Sequence, residues 1–132
     1  MTLAPLLDAS PTIQVHAYAA MAAFVVGVVQ LGRPKGTFTH RTIGWLWVSL
    51  MLVVSVSAFF IHTIRMWGPW SPIHLLAIFT LLMLPVAVWN AHRHQVERHR
   101  LAMISLFLGA LVIAGAFTLV PGRIMHAVVF GP

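Results

Sequence analysis

The sequence predicts an all-α integral membrane protein, a four-helix bundle made of two helical hairpins, and three observations lead there. Of the 132 residues, 60% are hydrophobic and only 8% charged, where an ordinary soluble domain carries about 25% charge. Four stretches free of Lys, Arg, Asp and Glu are long enough to cross about 30 Å of hydrocarbon at about 1.5 Å per residue. The few charges gather at the ends of those stretches instead of covering a surface. A chain of this length supports a single domain, residues 1–132.

The predicted spans are Ile13 to Leu31, Ile43 to Ile64, Ile73 to Ala91 and Leu101 to Val120. Gly32, Pro34 and Gly36 break the chain after the first, Gly68, Pro69 and Pro72 after the second, and a charged run from Arg93 to Arg100 after the third. Pro85 falls inside the third span and is expected to kink it. Before the first span stand Pro5, Asp8 and Pro11 with no basic stretch, so that span is expected to be retained, not cleaved as a signal.

Charge gives the expected orientation. The loops after spans one and three hold Arg33, Lys35, Arg41, Arg93, Arg98 and Arg100, against Arg65 and Arg123 on the other side. Six against two is a positive-inside bias, so both termini are expected on the periplasmic or exterior side. Trp45, Trp47 and Trp89 fall near the inner ends of spans, and Trp67 and Trp70 near the outer boundary, as interfacial belts require. The formal net charge of +6 would suggest nucleic acid for a soluble protein, but basic groups flanking apolar spans point to anionic lipid, and no nucleic-acid partner is expected. Cysteine is absent, which excludes disulfides, thiolate sites and cysteine-held clusters.

The two halves echo each other. His16 opens span one and His74 span three; His40-Arg41 and His99-Arg100 open spans two and four. Ala58-Phe59 and Arg65 match Ala116-Phe117 and Arg123 at a constant offset of 58. Each half is then one hairpin, and a pseudo-two-fold axis would run along the membrane normal.

Span one carries His16, Ala20, Ala23, Gly27 and Gln30 on one helical face, and span two carries Arg41, Gly44, Val48, Met51, Ser55, Ala58 and His62. Small residues permit close helix approach, and the polar ones would face protein. His16, His62 and His74 share the outer end, where an ionisable group in a membrane is a functional candidate. Neutral imidazole binds haem iron, copper or zinc, which makes these three the candidate metal ligands. The alternative is that each simply hydrogen-bonds a neighbouring helix. His40 and His99 form a second candidate pair at the inner end, beside His92 and His94, and the guanidiniums of Arg41 and Arg100 suit a haem propionate or a lipid phosphate. Arg65 and Arg123 are expected to anchor the outer leaflet, with the alternative that Pro121-Gly122-Arg123 caps the bundle around a ligand. No carboxylate lies in a span, which weakens proton-coupled transport, and no hydrolase or nucleotide-binding motif is present.

His16 with Gly27-Val-Val-Gln30-Leu, His40-Arg41-Thr-Ile-Gly44, Ser71-Pro-Ile-His74-Leu-Leu, His99-Arg100-Leu-Ala-Met103 and Pro121-Gly122-Arg123 together resemble a bacterial membrane family known as domain of unknown function 2306. The resemblance covers almost the whole chain and implies a four-helix membrane protein with no activity attached; the expected location is the inner membrane. A looser similarity is to the four-helix cores of b-type cytochromes and ferric-reductase-like proteins. Those cores commonly place two histidines in one helix a little more than a dozen residues apart, whereas His40 and His62 are 22 apart. The version that survives is a single haem b between His16 and His74, exchanging electrons with a quinone or a partner protein. Two other readings stay open: a non-catalytic accessory or assembly subunit, as a homodimer or with another membrane protein, and a transporter for a small solute or metal ion. Whether the protein is an enzyme, and which residue would be catalytic, stays unassigned.

Overall fold

The computed structural model describes residues 2–61 and 72–131. Helix α1 (Ala4–Leu7) is followed by the long helices α2 (Pro11–Leu31), α3 (Phe38–Ala58) and α4 (Pro72–His92), then α5 (Val96–Leu106), which runs through a π-helical segment (Phe107–Ile113) into α6 (Ala114–Phe117); α7 (Ile124–Phe130) closes the order. Among the described residues there is no strand. Four helical stretches, Pro11–Leu31, Phe38–Ala58, His74–His92 and Val96–Phe117, are long and apolar enough to cross a membrane. Candidate positions His62, Arg65, Trp67 and Trp70 lie outside the described residues.

Local chemistry explains the boundaries. Ser10 caps α2 by accepting from Ile13 N at 3.4 Å, with Pro11 in the first turn, where its missing N–H costs nothing. The side chain of Thr37 accepts from His40 N at 3.0 Å, so α3 starts at Phe38, five residues before the predicted Ile43, and carries His40 and Arg41 inside its first turn. It ends at Ala58, with Phe59 and Phe60 in a turn, short of the predicted Ile64. Hydropathy excluded the charged first turn, whereas the capping hydroxyl sets where hydrogen bonding begins. Lys35 Nζ donates to the carbonyls of Gln30, Leu31 and Arg33 at 2.7, 2.9 and 2.7 Å, closing the C-terminal end of α2. Helix α4 runs unbroken past Pro85, which is exposed.

The main packed pairs are α2 with α3 and α4 with α5, joined through α3 against α4 and through the π segment against α2. Each predicted hairpin is therefore a packed unit. The α2–α3 and α4–α5 loops and the helical turns that follow them carry the arginines and lysine of one end, called here the basic end; α1 packs on α7 at the other, the capped end, where Thr2 N donates to Val128 O at 3.0 Å and Leu6 is wholly buried.

The core lies toward the basic end: Ala23, Trp47, Val48, Met51, Leu84, Ala87, Ala102, Leu106, Phe107 and Leu111 form one buried cluster. Gly27 makes it possible, because a Cβ there would stand 2.5 Å from Phe107 Cε2 and 3.0 Å from Trp47 Nε1. Trp47 corrects the expectation of an interfacial belt. It is 3% exposed and its Nε1–H donates to Ala23 O at 3.1 Å, whereas Trp45 and Trp89 are exposed. Large apolar side chains such as Val25, Leu46, Leu82 and Leu101 face outward, as a hydrocarbon solvent allows. Trp47→Phe, which deletes that one buried donor, should lower unfolding stability in detergent by about 1 kcal/mol, measurable as a shift in a denaturant titration.

Candidate functional site

Beyond the core, toward the capped end, the four spans part around a half-open cavity of about 760 Å³. Ligand pockets for small molecules typically measure about 300–1,000 Å³. The stripes read from the sequence converge on it: His16 and Ala20 from α2, Met51, Ser55 and Ala58 from α3. Ala77 and Thr80 come from α4, and Ala110, Leu111 and Val112 from the π segment. Leu6 and the run Gly122, Arg123, Ile124 and Met125 line it at the capped end. A π segment has a wider coil than an α-helix and often accompanies functional sites; here it borders both the packed core, through Phe107 and Leu111, and the cavity.

Polar groups in the lining are few. The hydroxyls of Ser55 and Thr80 donate to carbonyls of their own helices, Met51 O at 2.8 Å and Leu76 O at 2.9 Å, so they add little unsatisfied polarity. Arg123 is the one permanent cation among the described lining residues. Asp8 and Glu97, the chain's only acids, are not in the lining.

His16 is fixed across the α2–α3 seam. Its Nδ1 lies 2.9 Å from Val54 O and 3.0 Å from Ser57 Oγ, while Ser57 Oγ itself donates to Val53 O at 2.6 Å. A carbonyl oxygen only accepts, so Nδ1 carries the proton and Nε2 is left as the lone-pair nitrogen of a ring that lines the cavity. A backbone carbonyl holding one nitrogen while the other is free to coordinate is the usual arrangement of a metal-binding imidazole.

The other predicted residues are distributed as follows. His74 is wholly buried near the start of α4, its ring centroid 6.2 Å from that of Phe59. It is one turn from Ala77 but not itself in the lining. His40 and His99 stand at the basic end on α3 and α5, close enough for the charge of His99 to act on His40. Arg41 and Arg100 beside them are exposed. Arg123, predicted for the outer side, is at the cavity wall. Among the described residues no group of three or more His, Asp or Glu is placed to hold a metal ion, so His16 and His74 are not joined into a larger cluster.

Sequence reasoning missed Val54 O and Ser57 as the partners of His16, the π segment, and the cap of α1 on α7. A further ring pair, His126 with Phe130 at 5.0 Å, belongs to α7, and His126 Nδ1 donates to Leu119 O at 2.7 Å.

No curated protein and no solved structure matches the chain. A family model described as predicted membrane protein (DUF2306) does match, over residues 13–130, from just before the stripe of His16 through the cavity-lining run around Arg123. By that match the chain belongs to this family of predicted membrane proteins.

Proposed function

We propose that the protein is a membrane electron-transfer module that holds one haem b in the capped-end cavity. The observation that carries this reading is His16: its Nδ1 proton is committed to Val54 O and Ser57 Oγ, and its Nε2 lone pair is kept for a ligand of a cavity about 760 Å³ in size. The lining suits a large, flat, mostly apolar group with acidic substituents. Apolar side chains surround the volume, and Arg123 offers a guanidinium fork to carboxylates. His74, buried on α4 one turn from the lining residue Ala77, would be the second histidine to hold the haem. By the positive-inside rule the basic end would face the cytoplasm and the cavity the outer side of the inner membrane. A quinone or a partner protein would exchange electrons there.

The transport reading is the weaker one. Toward the basic end the cavity meets the buried apolar cluster of Trp47, Met51, Leu84, Leu106 and Phe107, which among the described residues stands against a polar path in that direction.

The test is the visible spectrum of the purified, detergent-solubilised protein before and after dithionite. The expected result is a Soret band with a sharp reduced α-band, abolished in His16→Ala, and lost or converted to a five-coordinate high-spin spectrum in His74→Ala. Colourless protein after expression with ample haem would sink the reading and leave the accessory-subunit alternative.

A further inference from the structure

A cluster of rings and guanidiniums straddles the seam between the two hairpins at the basic end. The ring of Trp45 on α3 lies 6.3 Å, centroid to centroid, from that of His92, the last residue of α4. Arg41 stands one turn before Trp45 on the same face of α3, where residues four apart have Cβ atoms about 6 Å from each other. On the α4 side the N–H of Arg93 donates to Trp89 O at 3.0 Å, which carries the coil one residue past His92, and the Arg93 guanidinium sits over the Trp89 ring, 5.7 Å from its centroid. The contact of Trp45 with His92 therefore brings an arginine–tryptophan pair of each hairpin to adjoining positions.

Arg41, Trp45, Trp89, His92 and Arg93 are all exposed. Neither α3 nor α4 contains an Asp or Glu, and the one acid at this end, Glu97, opens α5, so the two guanidiniums have no carboxylate on their own helices to neutralise them. A guanidinium placed over an indole keeps its N–H edge for a bidentate oxyanion. Further along, the same faces turn to hydrocarbon: Leu52 follows Trp45 on α3, and Val86 and Leu82 precede Trp89 on α4, all of them exposed. Guanidinium, then indole, then aliphatic side chain is the order that meets a phospholipid from its phosphate through its ester region into its acyl chains.

We infer that Arg41, Trp45, Trp89 and Arg93 form a binding site for one anionic phospholipid, whose phosphate the two guanidiniums hold and whose acyl chains lie along α3 and α4 below the indoles. Charge selects the lipid class: a zwitterionic headgroup brings an ammonium of its own into a place where two arginines already repel it. The apolar rows select a lipid over a free anion, because inorganic phosphate has nothing to lay against Leu52, Leu82 and Val86. A lipid seated here touches both hairpins and so strengthens the α3–α4 seam at the end where it is most exposed to the headgroup layer. The site does not depend on haem in the cavity, because its residues are at the opposite end of the bundle.

The experiment is native mass spectrometry of the full-length protein in detergent micelles doped with palmitoyl-oleoyl phosphatidylglycerol, or with phosphatidylcholine of the same chains. The expected result is one phosphatidylglycerol retained per protein, at least tenfold in preference to phosphatidylcholine, and not displaced by a hundredfold excess of inorganic phosphate. Retention should fall at least tenfold in Arg41→Gln and in Arg93→Gln, and measurably in Trp45→Leu. Arg33→Gln and Arg98→Gln remove the same charge from other exposed positions at this end and should bind as the parent does. Circular dichroism melts check that each variant is folded; Arg41→Lys and Arg93→Lys, which keep the charge and lose the bidentate fork, serve where a glutamine variant is not, and should fall at least threefold. An equal loss in all four glutamine variants would show attraction to the overall charge of the end, without a site. Equal retention of phosphatidylcholine would show an ordinary lipid of the surrounding shell, and displacement by inorganic phosphate a pocket for the anion alone. Each of these results overturns the proposal.

Discussion

Gly27→Ala should destabilise the bundle by about 2 kcal/mol or more, although the same change elsewhere in a helix usually stabilises by up to about 1 kcal/mol. At this position the added methyl would stand 2.5 and 2.7 Å from two ring carbons of Phe107 and 3.0 Å from Trp47 Nε1. None of the three can retreat cheaply. Phe107 is also stacked on Phe24 at 5.7 Å between ring centroids, and Trp47 is tied to Ala23 O. The clash therefore drives α2 away from α3 and from the π segment together. Gly115→Ala, where nothing stands within 4 Å, should be neutral or stabilising. Unfolding in denaturant, followed by tryptophan fluorescence, measures both. The diagnostic result is non-additivity: Gly27→Ala combined with Phe107→Leu should lose less than the sum of the two, by at least about 1 kcal/mol. Simple additivity would show that the close approach does not hold the helices together.

The second large effect is expected from the π segment. Its seven residues accommodate one more than a regular α-helix would in the same rise, and the bulge presents Ala110, Leu111 and Val112 to the cavity. Deleting Gly109, whose Cα faces open space, lets the span close into continuous α-helix while both flanks keep their faces. The protein should then fold with unchanged or higher thermal stability, since the span regains regular α-helical hydrogen bonding. If the cavity holds haem as proposed, haem retained per polypeptide should fall at least tenfold because the cavity wall is redrawn. The two readouts are a circular dichroism melt and the Soret absorbance of the same sample. A deletion variant that melts early and keeps its haem would contradict both the placement of the bulge and its role.

The four spans were legible because length and hydropathy are enough to demand helices in hydrocarbon, where no other open structure satisfies its backbone. The stripe of His16, Ala20, Ala23, Gly27 and Gln30 was equally plain, since a helix places those spacings on one face; Ala23 and Gly27 are buried, and His16 and Ala20 reach the cavity. Trp47 shows where such reading fails. A tryptophan close to a basic loop matches the interfacial pattern, and only its register with Met51 and Val54 hinted that it pointed inward to Ala23. The partners of His16 were out of reach for another reason. Val54 and Ser57 are 38 and 41 residues away, and which carbonyl meets the ring depends on how two helices slide against each other. The short helices α1 and α7 are stable only in each other's company, being far below the length at which an isolated helix holds. Nor does the stretch Phe107–Ile113 differ in composition from its α-helical neighbours, and its first residue, Phe107, packs against Gly27 in a contact that only the assembled bundle supplies.

The clasp of α1 on α7 also bears on how the protein is made. One partner precedes the first span and the other follows the last, so Leu6 and Val128 can meet only after all four helices have been threaded through the bilayer. Until then Leu6 lacks the α7 surface that covers it in the complete fold. Closure of the clasp thus requires the last span to be in place, so burial of Leu6 is a direct readout of completed insertion.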